Sequence, residues 1–144
     1  MGKLKLLIAC LAVCSIIISA SGCIGGKKTY DGKTMTFEYP DDWRIVKDYG
    51  DGVLLKDKDN SSWISIIRAK NKTPQEIGDE LEYMGFSQLE EKVDGVECSE
   101  YLTEDKDVIY YVFQKNGTTF EIIISDVGVE FVAKDIIKSI KAKK

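Results

Sequence analysis

Two alternating apolar runs, 108–115 and 118–125, meet at the dipeptide Asn116-Gly117. A link of only two residues joins strands in antiparallel fashion, because a parallel pair needs a long crossover. Asn-Gly also tolerates positive φ at both central positions of such a hairpin. This pair of strands therefore commits the C-terminal half of the chain to an antiparallel sheet. A third strand near 96–103 extends it as a meander.

The N-terminal half follows the same pattern. From Thr34, the residues Met35, Phe37 and Tyr39 alternate with Thr36 and Glu38, the period of a half-buried strand, and Pro40-Asp41-Asp42 ends the run. Trp43–Val46 and Val53–Lys56 form the next two strands, and Trp63–Ala69 is apolar enough to lie centrally. Thr73-Pro74-Gln75-Glu76 then supplies an N-cap, a first-turn proline and a glutamate that can reach back to the cap. A helix is expected over 74–84, with Ile77, Leu81 and Met84 on its apolar face and Gly85 closing it. Val132, Ala133, Ile136, Ile137 and Ile140 mark a second helix running to about residue 141, its end carrying Lys138, Lys141, Lys143 and Lys144. The expected class is α+β: an antiparallel β-sheet whose apolar face or faces are covered by two helices.

Residues 1–22 are of a different kind. Lys3 and Lys5 precede an apolar run from Leu6 to Ile18, and Ser19-Ala20-Ser21-Gly22 are all small. That is the three-part layout of a secretory signal peptide. The run is about 13 residues, roughly 20 Å as a helix, against a hydrocarbon core of ~30 Å. Ala20-Ser21-Gly22-Cys23 resembles a lipobox, so Cys23 is the expected lipidation site, followed by a flexible spacer over 23–33. The domain proper is expected over 34–144. These features place the protein on the outer face of the cytoplasmic membrane, held by its lipid.

Several functions are excluded by what the chain lacks. With no histidine in 144 residues, Ser-His-Asp and Cys-His catalysis and histidine-ligated zinc are unavailable. The formal charge is −4, and loss of Lys3 and Lys5 with the leader makes it more negative, so nucleic acid is not an expected partner. Cys10 and Cys14 leave with the leader, and Cys98 is then a lone thiol between acidic neighbours, expected as a small buried hydrophobe.

The order Phe37-Glu38-Tyr39-Pro40-Asp41-Asp42-Trp43, then Gly95 with Cys98, then Tyr110-Tyr111-Val112-Phe113, then Ile136-Ile137-Lys138-Ser139-Ile140 resembles the PsbP-like family. That family is named for an extrinsic subunit of the photosynthetic water-oxidising complex and includes lipid-anchored relatives. The resemblance spans nearly all of 34–140. It implies an α/β/α sandwich and a role in binding or assembly in place of catalysis. It transfers no functional site.

Local candidates carry little chemistry. Phe37, Tyr39 and Trp43 alternate along strands and are expected in the core. Asp57, Asp59 and Ser61 mimic the start of a calcium loop, but Ser62 stands where glycine is needed and Arg68 where a bidentate glutamate is needed. No metal site and no cofactor are expected. Glu90-Glu91 and Glu104–Asp107 are read as solvated turn charges. Every Asn of the chain lies in an acceptor sequon, Asn60-Ser61-Ser62, Asn71-Lys72-Thr73 and Asn116-Gly117-Thr118; Pro74 spoils the second, leaving Asn60 and Asn116 as candidate glycosylation sites. The expected function is a non-catalytic binding or assembly module for an unidentified membrane or envelope component. The alternatives are a surface lipoprotein without a defined partner and a carboxylate-based hydrolase.

Overall fold

The computed structural model describes residues 26–144. The leader and Cys23 lie outside the described residues. The elements in chain order are β1 (Lys27–Asp31), β2 (Met35–Pro40), β3 (Trp43–Asp48), β4 (Gly52–Asp57), β5 (Trp63–Ala69), α1 (Pro74–Tyr83), β6 (Ser87–Val93), β7 (Val96–Leu102), β8 (Ile109–Lys115), β9 (Thr118–Ile124), α2 (Glu130–Ser139) and β10 (Lys141–Ala142). Seven strands form one antiparallel sheet in the order β3-β4-β5-β9-β8-β7-β6, and β1-β2-β10 form a second, smaller one. The fold is α+β, built on antiparallel sheets.

Turn chemistry sets these hairpins. Asn116 and Gly117 both take positive φ, 50° and 79°, and Asp94-Gly95 does the same between β6 and β7 at 51° and 79°. β6 has no counterpart in the hydropathy pattern, because as an edge strand it is almost wholly exposed and carries Gln88, Glu90, Glu91 and Lys92. Asp94-Gly95 was the one local signal for it. Glu90-Glu91 are thus strand residues, not a turn pair.

The stretch expected as a flexible spacer is also ordered from Lys27 onward. β1 pairs with β2 from Lys27 opposite Pro40 to Asp31 opposite Thr36. Only Tyr30 of this strand is buried, so alternation is invisible in its sequence. Its ring stacks on Phe37 with centroids 4.9 Å apart, and its hydroxyl donates to Asp48 at 2.9 Å.

Alternate residues of the large sheet enter two cores. One face carries Val53, Leu55, Ile64, Ile66, Ile109, Tyr111, Phe113, Phe120, Ile122 and Ile124 against α2 and the small sheet. Phe37, Tyr39 and Trp43 belong to this core. The opposite face carries Tyr101 and Val112 against Ile77 and Leu81 of α1. The capping box of α1 is present in both directions: Glu76 N donates to Thr73 Oγ1 at 3.2 Å, and Thr73 N donates to Glu76 Oε2 at 2.7 Å. Met84, expected on the buried face, is the C-cap residue and is exposed, because the helix ends one residue before it.

α2 stops at Ser139, where Ile140 turns to extended backbone and Lys141–Ala142 pair with β2. Lys138 lies in the last turn, but the cation bonded to the terminal carbonyls is Lys115 of β8 in place of Lys141 or Lys143, its Nζ donating to the carbonyls of Ile137 and Lys138 at 2.7 Å each. This meets otherwise orphaned carbonyls with a positive charge at the negative end of the helix.

Gly78 lets α1 approach the sheet. A Cβ there would lie 2.2 Å from Tyr101 Oη, and Tyr101 is buried in the contact. Gly78→Ala is expected to lower stability by about 1–3 kcal/mol through overpacking, despite alanine's better helix propensity. Urea denaturation of the two proteins measures this directly.

Candidate functional site

Antiparallel registers send successive connections to opposite ends of the sheet, and the two ends differ in charge. At one end lie the β2–β3 turn with Asp41 and Asp42, the β4–β5 turn from Asp57 to Ser62, the β7–β8 loop from Thr103 to Val108 and Ser125-Asp126 after β9. Asp57, Asp59, Glu104, Asp105, Asp107 and Asp126 join the two aspartates there, opposed by Lys58 and Lys106 in the same turns. The chain also enters the fold here, since Asp41 N donates to Gly26 O at 2.9 Å. The opposite end carries Lys33, Lys70, Lys72, Lys115, Lys141, Lys143 and Lys144 against Asp31, Asp48, Asp51 and Asp94. An acidic protein thus presents one basic end, and this is the candidate binding surface.

A groove of about 380 Å³ opens at that end beside the Asn116-Gly117 turn, with Arg68, Lys70, Lys72 and Gln114 in its walls. Arg68 is occupied within the fold: Nη1 donates to the carbonyls of Thr34 and Lys143 at 3.1 Å each, tying the small sheet and the C-terminus to β5. Lys70 pairs with Asp51 at 2.6 Å, Lys72 with Glu80 at 2.7 Å, and Lys143 with Asp31. Lys33, Lys141 and Lys144 are exposed and make no ion pair among the described residues. They are the cations at this end most open to an incoming carboxylate or phosphate.

A second polar cluster lies under α2. Lys134 pairs with Glu91 of β6 at 2.7 Å, and the charges of Glu130 and Glu91 both act on Glu100 of β7. Burial first, then Glu130 and Glu91, raise the Glu100 carboxyl above the ordinary carboxylate range. Tyr111 stands opposite Glu100 on the same face, fully buried, and its hydroxyl has no partner. Burial and the same carboxylates push its ionisation far up.

The sequence-predicted residues fall elsewhere. Asn60, Asn71 and Asn116 all have positive φ, at 59°, 59° and 50°, and all are exposed. Each sits where a left-handed turn residue is required, so turn geometry accounts for why every Asn stands beside Ser or Thr in a loop. Asn60 Oδ1 also accepts from Arg44. Asp57 closes its own turn, accepting from Ser61 N at 2.9 Å and Ser61 Oγ at 2.7 Å. The Ser61 hydroxyl chiefly holds the Asp57 carboxyl below its usual range. Cys98 is buried, and burial chiefly pushes its thiol up to about 12. Among the described residues, no group of three or more Cys, Asp or Glu side chains is placed to hold a metal ion, and no helix is long and apolar enough to cross a membrane.

The Glu100–Glu130 contact has a pH signature. A carboxyl whose value is raised on folding contributes stability that is complete below its unfolded value near 4.3 and is lost as pH rises through the folded value. Stability measured by urea midpoint is therefore expected to fall from acid toward neutral pH at this site, and Glu100→Gln to flatten that dependence. An unchanged pH profile in the variant would show that folding does not raise the Glu100 carboxyl.

No protein-family model matches the chain, and no curated protein matches it. Among solved structures it resembles a protein of Bacteroides thetaiotaomicron VPI-5482, known at 1.50 Å resolution, with a TM-score of 0.56 and 19% identity. The match covers 83% of this chain and 49% of that one, so the chain spans about half of that protein's length. At this identity the likeness is one of fold alone.

Proposed function

We propose that the protein is an exported lipoprotein, anchored through Cys23 to the outer face of the cytoplasmic membrane, whose domain is a non-catalytic binding or assembly module for another membrane or envelope component. The observation that carries this is the position of β1. It begins at Lys27, so four backbone steps separate the lipid-bearing cysteine from the first hydrogen-bonded strand, a reach of at most about 14 Å. A domain held so close to its anchor, with the acidic chain-entry end toward the bilayer, presents its basic end to the surroundings. Confinement of this kind raises effective concentration toward the millimolar range, so a modest charged contact suffices for docking.

The resemblance of Phe37–Trp43, Tyr110–Phe113 and Ile136–Ile140 to the PsbP-like family supports the same role, and on this reading the layers of α1, the large sheet and α2 with the small sheet are a PsbP-like sandwich. The hydrolase alternative is less well supported. Of the acidic pairs that reading would use, Glu90 and Glu91 lie on edge strand β6 with Glu91 paired to Lys134, and Glu104–Asp107 lie in the exposed β7–β8 loop, whereas a retaining glycosidase holds its two carboxyls about 5–5.5 Å apart around the scissile bond.

Intact mass of the mature protein is expected to show lipid on a chain starting at Cys23, and Cys23→Ser to release a folded domain from membranes. A mature chain that begins elsewhere contradicts the anchor. Cross-linking in intact membranes is expected to recover one recurring partner. Replacing Lys33, Lys141 and Lys144 together with Glu should cut that product several-fold without moving the thermal midpoint, since all three are exposed and make no ion pair among the described residues.

A further inference from the structure

Seven large apolar side chains are left exposed among the described residues: Val46 and Tyr49 toward the basic end, Leu89 on edge strand β6, and Tyr83, Met84, Val127 and Phe131, with Tyr83 at 94% and Phe131 at 65%. The last four all lie at the chain-entry end. α1 leaves β5 at the basic end and delivers Tyr83 and Met84 to the opposite one, where β6 starts at Ser87 opposite Leu102. Val127 and Phe131 follow β9, whose last residue Ile124 pairs with Ile64 and Ile109 at that same end. Because α1 and α2 cover opposite faces of the large sheet, one apolar pair projects on each side of it. Gly26 is bonded to Asp41 at this end as well.

We propose that these two apolar pairs are membrane contacts, and that the chain-entry end rests on the bilayer with Tyr83 and Met84 on one side of the sheet and Val127 and Phe131 on the other. The inference rests on the anchored reading above and adds an orientation to it. Two protrusions flanking the sheet and the attachment of the chain between them define a plane, and the occupant that presents a plane beside a lipidated residue is the bilayer surface. Apolar side chains seated at the acyl boundary add buried area to whatever retention the lipid gives and fix how the domain sits on the bilayer. The charge around the contacts is mixed, with Asp41, Asp42, Asp57, Asp59 and the acidic β7–β8 loop beside Lys27, Lys28, Arg44, Lys58 and Lys106, so the apolar side chains and not headgroup charge carry the attachment.

The test places a thiol-reactive fluorophore at Phe131→Cys, Met84→Cys or, as a control at the basic end, Tyr49→Cys, in the full chain recovered in its own membranes. Cys98 stays unlabelled, being fully buried with its thiol pushed up to about 12. After fusion with nitroxide-lipid vesicles, labels at 131 and 84 are expected to be quenched at least about twofold more than the label at 49, as for insertion into the headgroup boundary. Aqueous iodide should give the reverse order. Equal quenching at all three positions overturns the proposal. So does a label at 131 shielded from iodide yet unquenched by the lipid nitroxide, the result expected if a protein or a second copy covers this end. Intact mass at Cys23 is read separately. Lipid present without quenching removes these membrane contacts and leaves the anchor, and a chain without lipid at Cys23, whose free thiol would itself take the fluorophore, removes the anchor and the contacts argued from it.

Discussion

β5 and β9 form the seam on which the rest of the structure depends. Strands β3–β5 form one meander and β6–β9 another, and only the pairing of Ile64 with Ile124, Ile66 with Ile122 and Arg68 with Phe120 makes them one sheet. The partners are some 60 residues apart in the chain, so this contact is entropically expensive to form and must be repaid by burial. The repayment is on the page: all four isoleucines are fully buried, and both helices and the small sheet pack on the surface that the seam creates. A slip of one residue would exchange Ile122 and Ile124 for Glu121 and Ile123 on the main core face, which fixes the register.

Arg68 shows how the seam reaches the far end of the molecule. Lying opposite Phe120, it extends beyond the last apolar layer and donates to Thr34 and Lys143 carbonyls, closing the small sheet onto the large one. Lys115 does the same for α2, and burial lowers its tendency to hold a proton. Two cations at the basic end are therefore structural in the first instance. The charge available to a partner resides on the lysines that make no such bonds, which is why composition alone could not locate the surface.

Local chemistry was legible wherever one face met solvent and the other met core. Thr73-Pro74-Gln75-Glu76 and Asn116-Gly117 each specify their geometry within four residues, and the alternation of Met35, Phe37 and Tyr39 gives β2 directly. β1 and β6 were illegible because they are edges, with one well-buried side chain each, Tyr30 and Val93. β10 is two residues long and follows a helix whose apolar spacing runs through Ile140, so its separate identity appears only in the pairing with β2. The polar cluster under α2 was hidden for another reason. Glu91, Glu100, Glu130 and Lys134 look like surface charges, and only the crossing of α2 over β6 and β7 brings them together above Tyr111. The three asparagines meet a second demand beside the sequon, because each occupies a left-handed turn position of the kind that selects Asn.

The order of β1 changes what an anchor on this chain would transmit. A flexible spacer would decouple the domain from the membrane, whereas a strand entering at the end of the sheet places the load along its own axis. β1 runs antiparallel to β2 with five paired positions from Lys27 to Asp31, and a pull on its N-terminus along the strand loads those hydrogen bonds together in shear instead of opening them one at a time. Tyr30 adds a side-chain lock near the far end of the strand, stacked on Phe37 and bonded to Asp48 of β3, so the same pull is shared with the edge of the large sheet. The one buried residue of an otherwise exposed strand is thus placed where it resists extraction most, and a lipid at Cys23 would act on the whole fold through it.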